Sequence, residues 1–300
     1  MQLNLHLLRL FVAVAETGSF SRAAQSLWIS QPAVSKGISE LEHQLDLALL
    51  ERGQGGSRGG SKGLHLTEAG SALLSHARAI FAIERTALED VRARVGVQRG
   101  SLAIGASTTV ASYWLPPFIA RFHTEHPLVA PRLEVGNTQW ICEQLVQRSI
   151  DLGLVEGHVD DGRIEAHFWR DDPLALVVPP SRAAAQRTLS RQALQAQRWI
   201  LREPGSGTRQ AAQAVLQRLG VEATPWMEMA SNEAIARTIA SGLGASILPR
   251  AVVADLLQLG ALREIGLEAC DGLSRPLYLV TLKGRPLSPA AAGMRALLQA

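Results

Sequence analysis

Apolar positions over the first 95 residues recur every three or four places; after Ser101 they gather into short runs separated by helical stretches. Leu7, Leu8, Phe11, Val12 and Val14 predict a helix that Gly18 stops. Ser21–Trp28 predicts a second, short helix with Ala23, Ala24 and Leu27 inward. A third begins after Ser30, a good N-cap, with Pro32 in the first turn, where its missing N–H costs little. Its inward stripe is Val34, Ile38, Leu41 and Leu45. Gly53–Gly63 holds no core residue and reads as a Gly-rich surface loop, closed by a short strand at Leu64–Leu66. Thr67-Glu68 opens a long helix that runs to Val95. Its narrow stripe (Leu73, Ala77, Ile80, Leu88, Val91, Val95), interrupted by Glu84, suits packing against another helix. Val97–Gly100 reads as a linker.

Beyond Ser101 the strands fall at Leu102–Ala106, Arg132–Val135, Leu152–Val155, Leu174–Val178, Trp199–Leu201, Ala245–Leu248 and Leu277–Thr281. Helical stretches lie between them at Leu115–His126, Gln139–Arg148, Thr208–Leu219 and Glu233–Gly242, with a last one at Ser288–Ala300. Alternation of this kind predicts a doubly wound α/β architecture behind an all-helical N-terminal part.

Composition narrows the classes. The chain has 300 residues, 47% apolar and 19% charged, enough to build cores, so wholesale disorder is excluded. Thirty basic against 27 acidic residues leave a net charge of +3, which permits a nucleic-acid role without establishing one. Two cysteines, Cys142 and Cys270, exclude a disulfide framework and a Cys-based zinc finger and fit a reducing cytoplasm. No apolar run approaches the ~18 residues of a membrane span. Met1–Phe20 alternates in polarity, carries Glu16 and does not read as a secretory signal. The expectation is a soluble cytoplasmic protein.

Helix, tight turn, helix and basic loop form the pattern of a winged helix-turn-helix. Between Ser19 and Ser39 stand Arg22 and Lys36 but no acid; between Arg52 and Thr67 stand Arg52, Arg58 and Lys62, again without an acid. These stretches suit a phosphate backbone. Gln31, Ser35 and Lys36 lie in the first turn and a half of the third helix, where side chains reach base edges in a major groove.

Other chemistries find less support. Gly55–Lys62 lacks the order of a phosphate-binding loop, and Gly205-Ser-Gly207 lacks the third glycine of a dinucleotide fingerprint. No nucleophile elbow occurs. His123 and His126 have no evident third metal ligand. Cys142 and Cys270 read as inert, and Trp140 and Trp199 as core. No metal, cofactor or catalytic residue is expected. A solute-binding protein or an enzyme on the same α/β scaffold would leave residues 1–66 without a purpose.

Ala13-Val14 through Phe20, Ser30-Gln-Pro-Ala-Val-Ser35 and Leu64-His-Leu-Thr-Glu-Ala-Gly70 strongly resemble the LysR-type transcriptional regulators. Asp46 and Leu50 depart from that family's usual Gly and Phe, and the wing is longer and richer in glycine. The resemblance implies a winged helix-turn-helix at 1–66, with Ser30, Gln31, Pro32, Ser35 and Lys36 at DNA-touching positions. It also implies a dimerising linker helix at 67–96, and at 101–300 an effector-binding domain like a small periplasmic binding protein. That domain splits into one subdomain at 101–169 with 275–300 and another at 170–274. The implied partners are promoter DNA, a second copy in a homodimer that pairs into a homotetramer, RNA polymerase and a small-molecule effector; no membrane is expected.

The effector is expected between the subdomains, at successive strand ends rich in polar groups: Ser107, Thr108 and Thr109; Asn137 and Thr138; Glu156; Arg202, Ser206 and Thr208; Ser231 and Asn232. Ser107, Thr109, Ser206 and Thr208 are expected to hold a small anionic metabolite, with Arg202 supplying charge. The Ala106-Ser-Thr-Thr109 and Arg202-Glu-Pro-Gly-Ser-Gly-Thr-Arg209 runs look like the branch of the family that senses carbon-fixation or sulfur-assimilation metabolites.

Overall fold

A computed structural model describes residues 3–52, 64–94, 100–180, 188–267 and 272–300. The chain divides into two compact units, Met1–Leu88 and Glu89–Ala300.

In the first unit α1 (Leu5–Thr17), α2 (Phe20–Leu27) and α3 (Gln31–Leu45) surround a small core that includes Leu8, Phe11, Ala23, Val34 and Leu41. Burying each of the larger side chains contributes roughly 1.5–3 kcal/mol. Capping follows the sequence closely. Gly18 ends α1 in the left-handed region at φ 62°, and Ser30 Oγ accepts from Ala33 N at 3.4 Å at the start of α3. The family's usual glycine at position 46 also has a physical reason: Asp46 closes α3 at φ 53°. Trp28, expected inside the second helix, instead closes it at φ 57°. The strands β1 (Leu50–Arg52) and β2 (Leu64–Leu66) pair antiparallel and frame the wing. The helix α4 (Glu68–Arg94) starts at Thr67, whose Oγ1 accepts from Gly70 N at 2.9 Å.

The second unit is built around an eight-stranded mixed sheet. Its first strands, β3 (Gly100–Ser107), β4 (Val129–Gly136) and β5 (Leu152–Glu156), are parallel, with β3 in the middle. Next to β5 run two long antiparallel strands, β6 (Ile164–Val178) and β12 (Ser274–Leu282). The sequence pattern marks only the last third of β6, because Glu165, His167, Arg170, Asp171 and Asp172 interrupt its apolar run. Along β6 the partner changes after Pro173: up to there it pairs with β12, and from Leu174 with β10 (Ser246–Pro249) and β11 (Arg263–Leu267). The edge strand β7 (Thr188–Leu189) joins β11, and β8 (Trp199–Arg202) pairs with β9 (Pro225–Met229).

Helices cover both faces on either side of that change. On the β3 side, α5 (Pro116–Glu125) and α11 (Pro289–Gln299) enclose a core around Ile104, Phe122, Leu154 and Met294. The helix α6 (Thr138–Val146) buries Ile141 and Leu145 against Val155 and Val280. On the β8 side, α7 (Arg191–Gln195) and α8 (Gly207–Arg218) cover one face, with Leu194, Trp199, Leu216 and Ile247 in its core. The other face carries α9 (Asn232–Ala240) and α10 (Arg250–Gln258), packed as Ile200, Ile235 and Val253. A π-helical turn, Val110–Trp114, follows β3.

Candidate functional site

Two groups of polar residues stand out, one in each unit. In the first, Arg22, Ser30, Gln31, Pro32 and Lys36 are exposed and Ser35 is half-buried, all on α2 or the leading end of α3. The side chains of Gln31, Ser35 and Lys36 form no hydrogen bond or ion pair with the protein among the described residues. Arg52 lies on β1 opposite Leu64. Arg58 and Lys62 fall outside the described residues.

In the second unit the strand ends and helix N-termini named from the sequence come together. Ser107 Oγ accepts from Val110 N at 3.4 Å. Thr108 Oγ1 accepts from Arg202 Nη1 at 3.3 Å, and Thr109 Oγ1 accepts from Asn232 Nδ2 at 3.0 Å. Asn137 caps α6 through Trp140 N and donates from Nδ2 to Glu203 Oε1 at 3.1 Å. Thr138 Oγ1 donates to the Glu156 carbonyl at 2.8 Å. Ser206 and Ser231 cap α8 and α9. Thr208 Oγ1 receives Arg275 Nη1 at 2.7 Å and donates to Glu156 Oε1 at 3.3 Å. The bonds of Thr108 to Arg202, Thr109 to Asn232, Asn137 to Glu203, and Thr208 to Glu156 and Arg275 join the β3 side to the β8 side. Gly207 lets the two sides approach, since a Cβ there would run into the Glu156 carbonyl.

The charges are arranged differently from the sequence expectation. Arg202 is buried, and its guanidinium grips Glu203 with two bonds, Nε to Oε2 at 2.7 Å and Nη2 to Oε1 at 2.9 Å. Burial raises the Glu203 carboxyl, but the bonds from Arg202 and Asn137 outweigh it and hold the group below its ordinary range. The central cation is Arg275 on β12, which sequence reasoning missed. It is 1% exposed and lies between Asp172, with Nε to Oδ2 at 2.8 Å, and Glu156, with Nη1 to Oε1 at 3.2 Å. Asp172 also accepts from Trp114 Nε1 at 3.1 Å; burial raises its pKa, opposed by Arg275. Arg275 precedes the apolar run Leu277–Thr281 that marks the strand in the sequence, so no local pattern singled it out. Glu156 Oε2 and Asn232 Oδ1 are buried without a hydrogen-bond donor among the described residues.

Two cavities flank this junction. One of ≈ 510 Å³ opens between Thr138, Gln139, His158, Gly205 and Gln210. Another of ≈ 330 Å³ reaches Ser274, Arg275 and Pro276. Cys142 lines the first; burial, with Asp161 and Glu143 nearby, pushes its thiol up to about 11, so little thiolate forms at neutral pH. Cys270 lies outside the described residues. Among the described residues no cluster of His, Cys, Asp and Glu is placed to hold a metal ion, and no helix is long and apolar enough to cross a membrane.

A winged helix-turn-helix whose polar leading edge is unpaired among the described residues, on one chain with a two-sided α/β unit that meets in a polar junction, defines a ligand-responsive DNA-binding regulator. Residues 5–71 match the bacterial regulatory helix-turn-helix protein, lysR family, and residues 96–300 match the LysR substrate binding domain. The RuBisCO operon transcriptional regulator of Allochromatium vinosum is 35% identical over 296 residues, covering 98% of this chain and 95% of that one. Full-length CbnR, solved in complex with its target DNA, superposes with a TM-score of 0.68 at 23% identity over 98% of each chain. The regulatory domain of Synechocystis PCC6803 CcmR in complex with 2-PG superposes with a TM-score of 0.59 at 25% identity, covering 67% of this chain and 96% of that one. The chain belongs to the LysR family: it is a DNA-binding transcriptional regulator with a substrate-binding domain, and not an enzyme.

Proposed function

We propose that the α/β unit binds a small anionic metabolite at the junction of its two sides and thereby alters how the protein bends and reads promoter DNA in the cytoplasm. The observation that carries this reading is the convergence of three capped helix N-termini at the junction: those of α8 and α9 meet Thr109 through Asn232 and Thr208, Arg202 meets Thr108, and that of α6 meets Glu203 and Gly205. Helix N-termini and free N–H groups favour negative charge. Arg202 already holds a carboxylate, that of Glu203, so the site's chemistry suits an anion that takes over those bonds. The 2-PG complex of the CcmR regulatory domain is consistent with this chemistry. The sequence puts the two subdomains at 101–169 with 275–300 and at 170–274; because residues 170–173 still pair with β12, the division is better drawn after Pro173 and before Ser274. The effector acts by preferring one arrangement of the two, without which no shift occurs.

At the DNA, Gln31, Ser35 and Lys36 read base edges, while Arg22, Ser30, Pro32, Arg52, Arg58 and Lys62 meet the backbone. The exposed Ile83, Leu88 and Val91 on α4 favour pairing of two copies along this helix, with two such dimers forming a tetramer. RNA polymerase is the partner of the DNA-bound assembly. Calorimetry with inorganic phosphate, phosphorylated hydroxy acids and neutral and cationic compounds of equal size tests the effector reading. Binding of the anions alone is expected; binding only of apolar or cationic compounds rejects it. A gel shift on the upstream region of a neighbouring gene tests the DNA reading, with affinity expected to fall steeply as salt rises.

A further inference from the structure

Trp28 is 93% exposed, the most exposed large hydrophobic side chain among the described residues. It also sits at φ 57°, a left-handed conformation that a bulky residue rarely adopts. Its backbone is used, since its N–H donates to Ala24 O and Gln25 O to close α2, but any residue supplies that bond. Glycine or asparagine would do so with less strain. The indole therefore adds nothing to the fold that an asparagine would lack, and it exposes a large apolar surface to water.

Its position suggests what covers it. Trp28 lies three residues ahead of Gln31, in the turn that delivers α3, with Ile29 beside it 39% exposed. The surrounding stretch from Ser19 to Ser39 holds Arg22 and Lys36 and no acid. Where a helix enters a major groove by its N-terminal end, the chain just before that end passes the rim of the groove, along which a sugar–phosphate strand runs. An indole there packs its face on deoxyribose and offers its N–H to a phosphate oxygen.

We propose that Trp28 is a DNA-backbone contact of this regulator, a flat apolar wedge that seats the recognition helix independently of base sequence. The proposal rests on the DNA-binding reading and adds to it a residue that charge and base-reading chemistry do not identify.

The test uses the full chain, a random-sequence duplex and the upstream region of the neighbouring gene. Trp28→Asn suits the left-handed turn, so its melting temperature should equal or exceed that of the unsubstituted protein. Its affinity should fall about tenfold on both duplexes, the scale of losing a buried aromatic ring at an interface. The slope of log affinity against log salt should not change, because an uncharged side chain releases no counterion; Arg22→Ala, which removes a backbone contact, should reduce that slope by about one. Trp28→Phe keeps the ring and should recover most of the loss. The difference in fluorescence between the unsubstituted protein and Trp28→Phe should change when the duplex is added. Unchanged affinity of Trp28→Asn overturns the proposal, and so does a lower melting temperature, which would make Trp28 structural. Full DNA affinity with lost transcription assigns the ring to the polymerase, and a changed oligomeric mass assigns it to a second copy; both overturn it. If the unsubstituted protein binds neither duplex, the DNA reading itself falls and takes this proposal with it.

Discussion

The leading end of α3 and the junction of the α/β unit use the same side-chain chemistry, hydroxyls, amides and cations, in opposite states. On α3 the side chains of Gln31, Ser35 and Lys36 have no hydrogen-bond or ion-pair partner among the described residues, and the helix beneath them is fixed by a core of Phe11, Val34 and Leu41. At the junction nearly every polar group is already bonded to another: Arg202 to Glu203, Asn232 to Thr109, Thr208 to Glu156 and Arg275. An unpaired, rigid edge binds by addition and loses no internal bonds in doing so. A self-satisfied junction binds by exchange, so its ligand must replace bonds that the protein already makes. The first arrangement suits a polymer presented at high local charge, the second a small molecule whose arrival has to change the shape of its host.

The strongest way to break this contrast is Arg275→Met. It leaves Glu156 and Asp172 buried against each other without their cation, at a cost of about 3–5 kcal/mol. Calorimetry should show the α/β unit melting earlier while the transition of the helical unit stays in place; an unchanged melting curve would mean that the junction is not held by its charges. Next in size is Gln31→Ala. It should cost ~1–3 kcal/mol on a specific site and much less on random DNA, and equal losses measured by gel shift would remove its base-reading role.

Glu203 sharpens the comparison by pH. Its folded-state carboxyl titrates below the ordinary value of 4.5, so the unfolded chain binds that proton more readily. The stability it contributes is present above pH 4.5 and is lost as pH falls through the folded value. Glu203→Gln should therefore flatten that acid limb in a denaturation series, and a limb of unchanged steepness would deny the group its role. The same variant frees Arg202 and should bind inorganic phosphate more tightly. The smallest expected effect is Asp46→Gly, which restores the family's usual residue at a left-handed position. It should stabilise the helical unit by less than ~1 kcal/mol, seen as a slightly higher denaturation midpoint, with DNA binding unchanged.

How far the sequence could be read follows the range of the interactions. The helical unit was legible almost residue by residue, because caps such as Ser30 and stops such as Gly18 act on their own neighbours. So were the buried strands β3 and β5, whose runs are continuously apolar. The long β6 was not, since its first two thirds are mostly exposed and their polar residues break the apolar run. The helix α10 and the strands β7, β9 and β11 also went unread. At the junction, polar residues at consecutive strand ends pointed to a site, but Arg275 and Asp172 did not stand out. They matter through each other, 103 positions apart in sequence, and no local pattern carries that pairing.

The change of partner along β6 after Pro173 has a further consequence. Leu174 donates its N–H to the carbonyl of Leu273 at 2.8 Å, so the chain leaves for the β8 side and returns from it at adjacent points. Everything from 174 to 273 is, topologically, a guest inserted into a host through neighbouring ends. Such a segment can be exchanged, lengthened or transplanted without rethreading its host, which offers a modular route by which one promoter-reading scaffold acquires a new chemical sense.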